Sequence, residues 1–322
     1  MTEPLLARLA ARGERLTVCA LPWVAPVYRA MPQVAQVVEW AFAHGRLDWA
    51  ARRVAARQLH GHFDTAYVLP NSLKSALIPW MAGIARRIGY QGEGRWLLLN
   101  ERLPNPSGRP PMVAFYGALA GTPPPGETRP VLHADAALRA QVLAGEQLQG
   151  RGYWVFAPGA EYGPAKCWPA ERYAALAETL HRRDGLTVLL LGAAKEGALC
   201  EQVSRGAPGA CRVLAGKTSL DQAMALIAAA RGVVSNDSGL MHVAAAFGVP
   251  QVAVFGSTSP LHTPPLNPCA SVVWLKDELG LDCAPCFDRV CRFGHTRCLT
   301  GISADRVEAA LDRALAQGLP PR

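Results

Sequence analysis

Val233-Val-Ser-Asn-Asp-Ser-Gly-Leu-Met-His242 runs through an alanine-rich stretch into Gly248-Val-Pro-Gln-Val-Ala-Val-Phe255. An apolar run ends at Ser235, a polar turn occupies Asn236–Gly239, a helical stretch spans Leu240–Phe247, and a second apolar run follows Gly248. Strand, turn, helix, strand is the repeating unit of a parallel α/β sheet, because parallel neighbours need a crossover between them. The turn then lies at the carboxyl end of a strand, where open sheets of this kind bind ligands. Ser238 and Gly239 open the helix, and its free amides and dipole attract a phosphate there. Gly239 lets a ligand come close to the backbone. Asp237 would repel a phosphate, so its expected role is to accept hydrogen bonds from ribose hydroxyls. The plainer alternative is that Asp237 or Ser238 only caps the helix.

The same rhythm extends in both directions. Strands are expected at Tyr153–Ala157, Thr187–Leu191, Val233–Ser235 and Gln251–Phe255, with helices at Glu171–Arg182, Leu220–Ala230, Leu240–Phe247 and Ser303–Ala316. In the first half, strands are expected at Leu16–Leu21, Val34–Trp40 and Thr65–Leu69, and helices at Leu47–Leu59 and Leu73–Ala82. Gly-Thr-Pro-Pro-Pro-Gly-Glu-Thr-Arg-Pro130 cannot be regular structure. The expected organisation is two Rossmann-like domains, 1–146 and 147–322. The chain opens on an expected helix, Leu5–Ala11, whereas doubly wound domains open on a strand.

Between the strand Tyr153–Ala157 and the following helix runs Ala157-Pro-Gly-Ala-Glu-Tyr-Gly-Pro-Ala-Lys-Cys-Trp-Pro-Ala170. Glycines and prolines shape this loop around one cation, Lys166, which is suited to neutralising a leaving pyrophosphate. The alternative is an ordinary surface lysine. In the first half, Asn71-Ser-Leu-Lys-Ser75 stands where a strand ends and a helix begins. Asn71, Ser72, Lys74 and Ser75 are candidates to hold acidic sugar or phosphate groups. Capping by Asn71 or Ser72, with an exposed Lys74, is the alternative.

The chain of 322 residues is half hydrophobic and 18% charged, as expected of a globular protein rather than a disordered one. Its formal charge of +8 is uneven. Residues 1–150 hold 16 Lys and Arg against 10 Asp and Glu, and residues 151–322 hold 17 against 15. Such a bias favours acidic partners, although an arginine-rich composition explains it as well. Charge and cysteines alone do not support a nucleic-acid partner, and none is expected. No run reaches the ~18 apolar residues of a membrane span, and no secretion signal opens the chain. Cys19, Cys167, Cys200, Cys211 and Cys269 fit a reducing compartment, so a cytoplasmic protein is expected.

Two of these segments, Pro-Gly-Ala-Glu-Tyr-Gly-Pro-Ala-Lys166-x-Trp-Pro and Asn236-Asp-Ser-Gly-Leu-Met-His242, resemble the donor-site motifs of the bacterial ADP-heptose:lipopolysaccharide heptosyltransferase family. Tyr67-Val-Leu-Pro-Asn-Ser-Leu-Lys-Ser-Ala-Leu-Ile-Pro79 resembles the N-domain motif of its heptosyltransferase II branch. The resemblance implies a GT-B architecture, two Rossmann-like domains with parallel sheets facing a cleft. It implies an inverting glycosyltransferase that moves heptose from ADP-heptose, a substrate rather than a cofactor, to the heptosyl-Kdo-lipid A inner core of lipopolysaccharide. Lys166 would stabilise the leaving group, and Asp237, Ser238, Gly239, Leu240 and His242 would line the donor site. Asp221 matches an acidic ribose position, with a helix-dipole role as its alternative. His242 is also compatible with helix packing. The enzyme would work in the cytoplasm, peripheral to the inner face of the inner membrane.

The family opens on a strand and a Gly-Asp loop whose aspartate serves as general base. No residue here matches it. The first N-domain strand is therefore expected to be missing, with the natural start further upstream and turnover by the present chain low. The competing expectations are another GT-B nucleotide-sugar enzyme, such as an epimerase, or a catalytically dead donor-binding homologue. The four thiols of Cys283-x2-Cys286-x4-Cys291-x6-Cys298, with His295 among them, can bind zinc or an iron–sulfur cluster, although the spacing fits no common zinc ribbon. A structural knuckle, a redox pair and a plain cysteine-rich loop all remain open, and no metal ligand or cofactor is assigned.

Overall fold

The computed structural model describes residues 1–42, 45–121 and 129–318. The chain divides into two compact units, Met1–Thr128 and Arg129–Arg322. The division falls ahead of the expected boundary at 146/147. The reason is a helix, Ala136–Gly145, that the sequence did not announce, capped where the Asp135 carboxylate accepts from the amides of Ala137 and Leu138. Arg212 pairs with Glu146, and Leu132 N–H donates to the Ala246 carbonyl, so this stretch is tied to the second unit. Of the irregular linker, residues 122–128 lie outside the described residues.

The first unit contains β1 (Leu16–Ala20), β2 (Val34–Glu39), β3 (Thr65–Val68), β4 (Arg86–Tyr90) and β5 (Glu101–Leu103). Its helices are α1 (Glu3–Ala10), α2 (Ala25–Arg29), α3 (Trp49–Leu59), α4 (Leu73–Met81) and α5 (Met112–Gly117). The strands form two parallel sheets, β1-β2 and β3-β4-β5. Among the described residues no strand joins β1 to β3.

The second unit contains β6 (Tyr153–Ala157), β7 (Thr187–Leu190), β8 (Cys211–Val213), β9 (Gly232–Asn236), β10 (Gln251–Val254) and β11 (Ala270–Val273). Its helices are α6 (Ala136–Gly145), α7 (Ala170–Asp184), α8 (Gly197–Gly206), α9 (Leu220–Ala228), α10 (Gly239–Phe247), α11 (Arg297–Thr300) and α12 (Ala304–Ala316). Ser303 caps α12 by accepting from Arg306 N–H. One parallel sheet runs β11-β10-β9-β6-β7-β8. Numbered within the unit, that order is 3-2-1-4-5-6 read from β8, so the chain reverses direction between β6 and β9. Every residue of β6, β9 and β10 is buried, as expected of strands covered on both faces. Trp168, Tyr173, Leu176, Leu180, Val203, Val307 and Leu311 pack one face. Each such side chain contributes roughly 1.5–3 kcal/mol of burial. This core fixes the carboxyl ends of β6 and β9 side by side, which opens a ligand crevice at the reversal.

Candidate functional site

The loop after β6 and the turn after β9 meet at that reversal. Asn236, the last residue of β9 and fully buried, bolts them together. Its Oδ1 accepts from Trp168 N–H (3.0 Å) and Tyr173 O–H (3.2 Å), and its Nδ2 donates to the Pro158 carbonyl (2.7 Å). Trp168, fully buried, donates from Nε1 to the Ile302 carbonyl at 3.0 Å. Gly163 adopts φ +148°, and a Cβ there would fall 2.5 Å from the Arg289 carbonyl oxygen, so the loop can follow this path only with glycine.

Lys166 and Asp237, expected to act separately, form one ion pair. The ammonium lies 2.5 Å from Asp237 Oδ2 and donates to the Asp237 carbonyl at 3.1 Å. The side chains are 13% and 5% exposed. Two threonines complete the arrangement: Thr258 Oγ1 donates to Asp237 Oδ2 (2.7 Å) and Thr263 Oγ1 to Asp237 Oδ1 (3.2 Å). Both carboxylate oxygens are therefore engaged within the protein. Asp237 does not cap α10; it fixes the ammonium. The surface-lysine alternative fails, because Lys166 is held in the crevice.

Ser238 stands at the cap position of α10 without making a cap hydrogen bond, and its buried Oγ has no partner. A Cβ at Gly239 would meet nothing within 4 Å, so the helix start faces open space. An unspent hydroxyl, free first-turn amides and an adjacent ammonium make a site for an anionic group. Leu240 and His242 lie on the first turn of the same helix. His242 is partly buried, and desolvation lowers its imidazole to about 4, so it is neutral at ordinary pH. Asp221 stands in the first turn of α9, where its Oδ1 accepts from Ser219 O–H and from Gln222 N–H (3.1 Å) beside the Ser219–Gln222 capping box.

In the first unit, Asn71, Ser72, Lys74 and Ser75 do cluster at the start of α4. Ser72 makes no cap bond; its hydroxyl donates to Ser75 Oγ at 3.1 Å. The α4 terminus is instead met by Glu93, whose Oε2 accepts from Leu73 N–H at 2.7 Å. The buried Arg95 holds the preceding turn through the Pro70 carbonyl (2.7 Å) and Asn71 Oδ1 (3.1 Å).

Sequence reasoning missed Asn236 as a bolt and Thr258 and Thr263 as partners of Asp237. The available signal was position: Gly256-Ser-Thr-Ser-Pro260 follows β10 directly, at the edge where both motifs lie.

A doubly wound sheet with a fixed ammonium and an open helix start at its reversal defines a nucleotide-binding α/β protein. The model of "Glycosyltransferase family 9 (heptosyltransferase)" matches residues 52–297. The chain belongs to glycosyltransferase family 9, the heptosyltransferases. It is 39% identical over 320 residues to lipooligosaccharide heptosyltransferase 2 of Haemophilus ducreyi, covering 94% of this chain and 91% of that protein. It is 40% identical over 295 residues to lipopolysaccharide heptosyltransferase 2 of Escherichia coli K12, covering 85% and 84%. The solved structure of E. coli ADP-heptose LPS heptosyltransferase II superposes with a TM-score of 0.84 at 36% identity, covering 98% of this chain and 94% of that one. The α/β fold with parallel sheets is that of these enzymes.

Proposed function

We propose that this chain transfers heptose from ADP-heptose to the heptosyl-Kdo-lipid A inner core of lipopolysaccharide, with inversion at the sugar. The observation that supports it is the Lys166–Asp237 pair beside the open start of α10, in a chain close to heptosyltransferase 2 over most of its length. The donor pyrophosphate lies against the first-turn amides of α10, the Ser238 hydroxyl and Lys166. As the glycosidic bond to the sugar breaks, negative charge grows on the leaving phosphate, and a prepositioned ammonium stabilises it most at that moment. Asp237, held by Thr258 and Thr263, keeps the ammonium in place. Leu240 and His242 line the same site, and the neutral His242 adds no charge to it. Asn71, Ser72, Lys74 and Ser75 hold anionic groups of the acceptor. This chemistry calls for no resident cofactor.

No helix among the described residues is long and apolar enough to cross a membrane. The proposed place of work is the cytoplasm, at the inner face of the inner membrane where such an acceptor is presented. The test is a transfer assay with ADP-heptose and heptosyl-Kdo-lipid A. Heptose attached with inverted configuration is the expected result. Donor binding without transfer would favour a donor-binding homologue instead.

A further inference from the structure

The loop from Cys283 to Cys298 adds no strand to the sheet and supplies no side chain to the Lys166–Asp237 arrangement. All four of its cysteines line one cavity and none is in a disulfide.

An independent observation points the same way. Ser257 is 2% exposed and lines this cavity, and its hydroxyl has no hydrogen-bond partner. A buried donor without a partner is costly, and the four cysteines line the same cavity. Arg292 lines the same cavity and is paired with Asp288 at 3.1 Å. His295 is less available than the thiols, because its Nδ1 accepts from Arg297 N–H at 3.1 Å and its ring stacks on Phe293. Among the described residues no three Cys, His, Asp or Glu side chains converge on one point as they stand. The sulfurs ring the cavity instead, and an ion would have to draw them inward.

We propose that Cys283, Cys286, Cys291 and Cys298 bind one thiophilic divalent cation of the zinc class, the loop contracting around it as each thiol releases its proton. Four sulfurs at about 2.3 Å make a closed tetrahedral site that leaves no position for substrate, so the role is structural. The loop is stitched to the donor site. Ala165 N–H donates to the Arg289 carbonyl (3.1 Å), Phe287 N–H to the Ser257 carbonyl (2.7 Å), and Ser257 N–H to the Ala165 carbonyl (3.3 Å). Contraction around an ion therefore braces the Lys166 loop. That consequence rests on the proposed donor site, whereas the ion binding does not.

The test uses the full chain, stripped of metal by chelator under reducing conditions, with Co2+ and Zn2+ as probes. Expected are about one equivalent of either ion, sulfur-to-cobalt charge-transfer absorption, and four fewer thiols open to a thiol reagent once zinc is bound. The double substitution Cys286→Ser with Cys291→Ser abolishes binding, and Cys19→Ser leaves it intact. The cobalt spectrum needs no variant, so misfolding of the double variant does not blunt the test. Absence of the absorption, with thiol reactivity unchanged by zinc, overturns the proposal. Calorimetry with ADP supplies the second arm, where zinc is expected to tighten ADP binding several-fold. Zinc bound with ADP affinity unchanged refutes the brace alone, and zinc bound with no ADP affinity at all counts against the donor site, not the ion.

Discussion

Lys166→Ala separates what the ammonium does for the ligand from what it does for the fold. The side chain is 13% exposed and holds two contacts, to Asp237 Oδ2 at 2.5 Å and to the Asp237 carbonyl at 3.1 Å. Stranding a buried charge outright costs about 3–5 kcal/mol. Asp237 would not be stranded outright, because Thr258 and Thr263 still donate to its two oxygens. The stability loss is therefore expected near the lower range for a lost charged hydrogen bond, about 1.5–2 kcal/mol. For a unit of this size that is a fall in Tm of roughly 3–8 °C. The ligand loses a charge-assisted contact to phosphate worth about 1.5–3 kcal/mol, a 10- to 150-fold weaker ADP affinity. Asp237→Ala should reverse the emphasis: it removes the acceptor of both threonines and leaves the ammonium unpaired, so the stability loss should exceed that of Lys166→Ala. Calorimetric titration with ADP and thermal unfolding of both variants supply the numbers. Wild-type ADP affinity in a folded Lys166→Ala protein would refute the placement of the phosphate.

Three further outcomes follow from the geometry. Thr258→Val removes the 2.7 Å donor to Asp237 while keeping the side chain's shape, and should weaken ADP binding several-fold, with Thr258→Ser restoring it. Gly163→Ala puts a Cβ 2.5 Å from the Arg289 carbonyl at φ +148°, so it should displace the loop, lower Tm and weaken ADP binding, each through a loss of about 1 kcal/mol or more in free energy; an unchanged protein would show the loop is free to move. The His242 imidazole has its pKa lowered to about 4, below its unfolded value, so the folded state resists protonation that the unfolded state accepts. Stability should then be intact above about pH 6.5 and fall as pH drops towards 4, and His242→Asn should flatten that slope in unfolding measured across the range.

Much of the second unit was legible from apolar runs. Tyr153–Ala157 and Gln251–Val254 are continuous and buried on both faces, so their strands stand where expected. The strands that escaped notice carry charge or are short. Cys211-Arg-Val213 is three residues on the sheet edge, and Arg86-Arg-Ile-Gly-Tyr90 opens with two arginines, Arg86 paired with Glu101 and Arg87 donating to the Leu98 carbonyl. The site was legible as motifs but not as bonds. Lys166 and Asp237 are 71 residues apart in sequence, and their union depends on the reversal that brings β6 beside β9. Thr258 and Thr263 lie on a further strand's loop, and no local pattern ties them to Asp237. At the start of α4 the partners were not legible, because Glu93 and Arg95, which bond Leu73 N–H and Asn71 Oδ1, stand 20 and 24 residues further along the chain.

The central claim is that an ADP-sugar sits between Lys166 and the start of α10. The direct measurement is titration of the folded chain with ADP-heptose, in parallel with ADP and with a uridine-diphosphate sugar. ADP-heptose and ADP are expected to bind and to compete with one another, with both affinities falling together in Lys166→Ala. No ADP-heptose binding at millimolar ligand, or binding that Lys166→Ala leaves untouched, would contradict it.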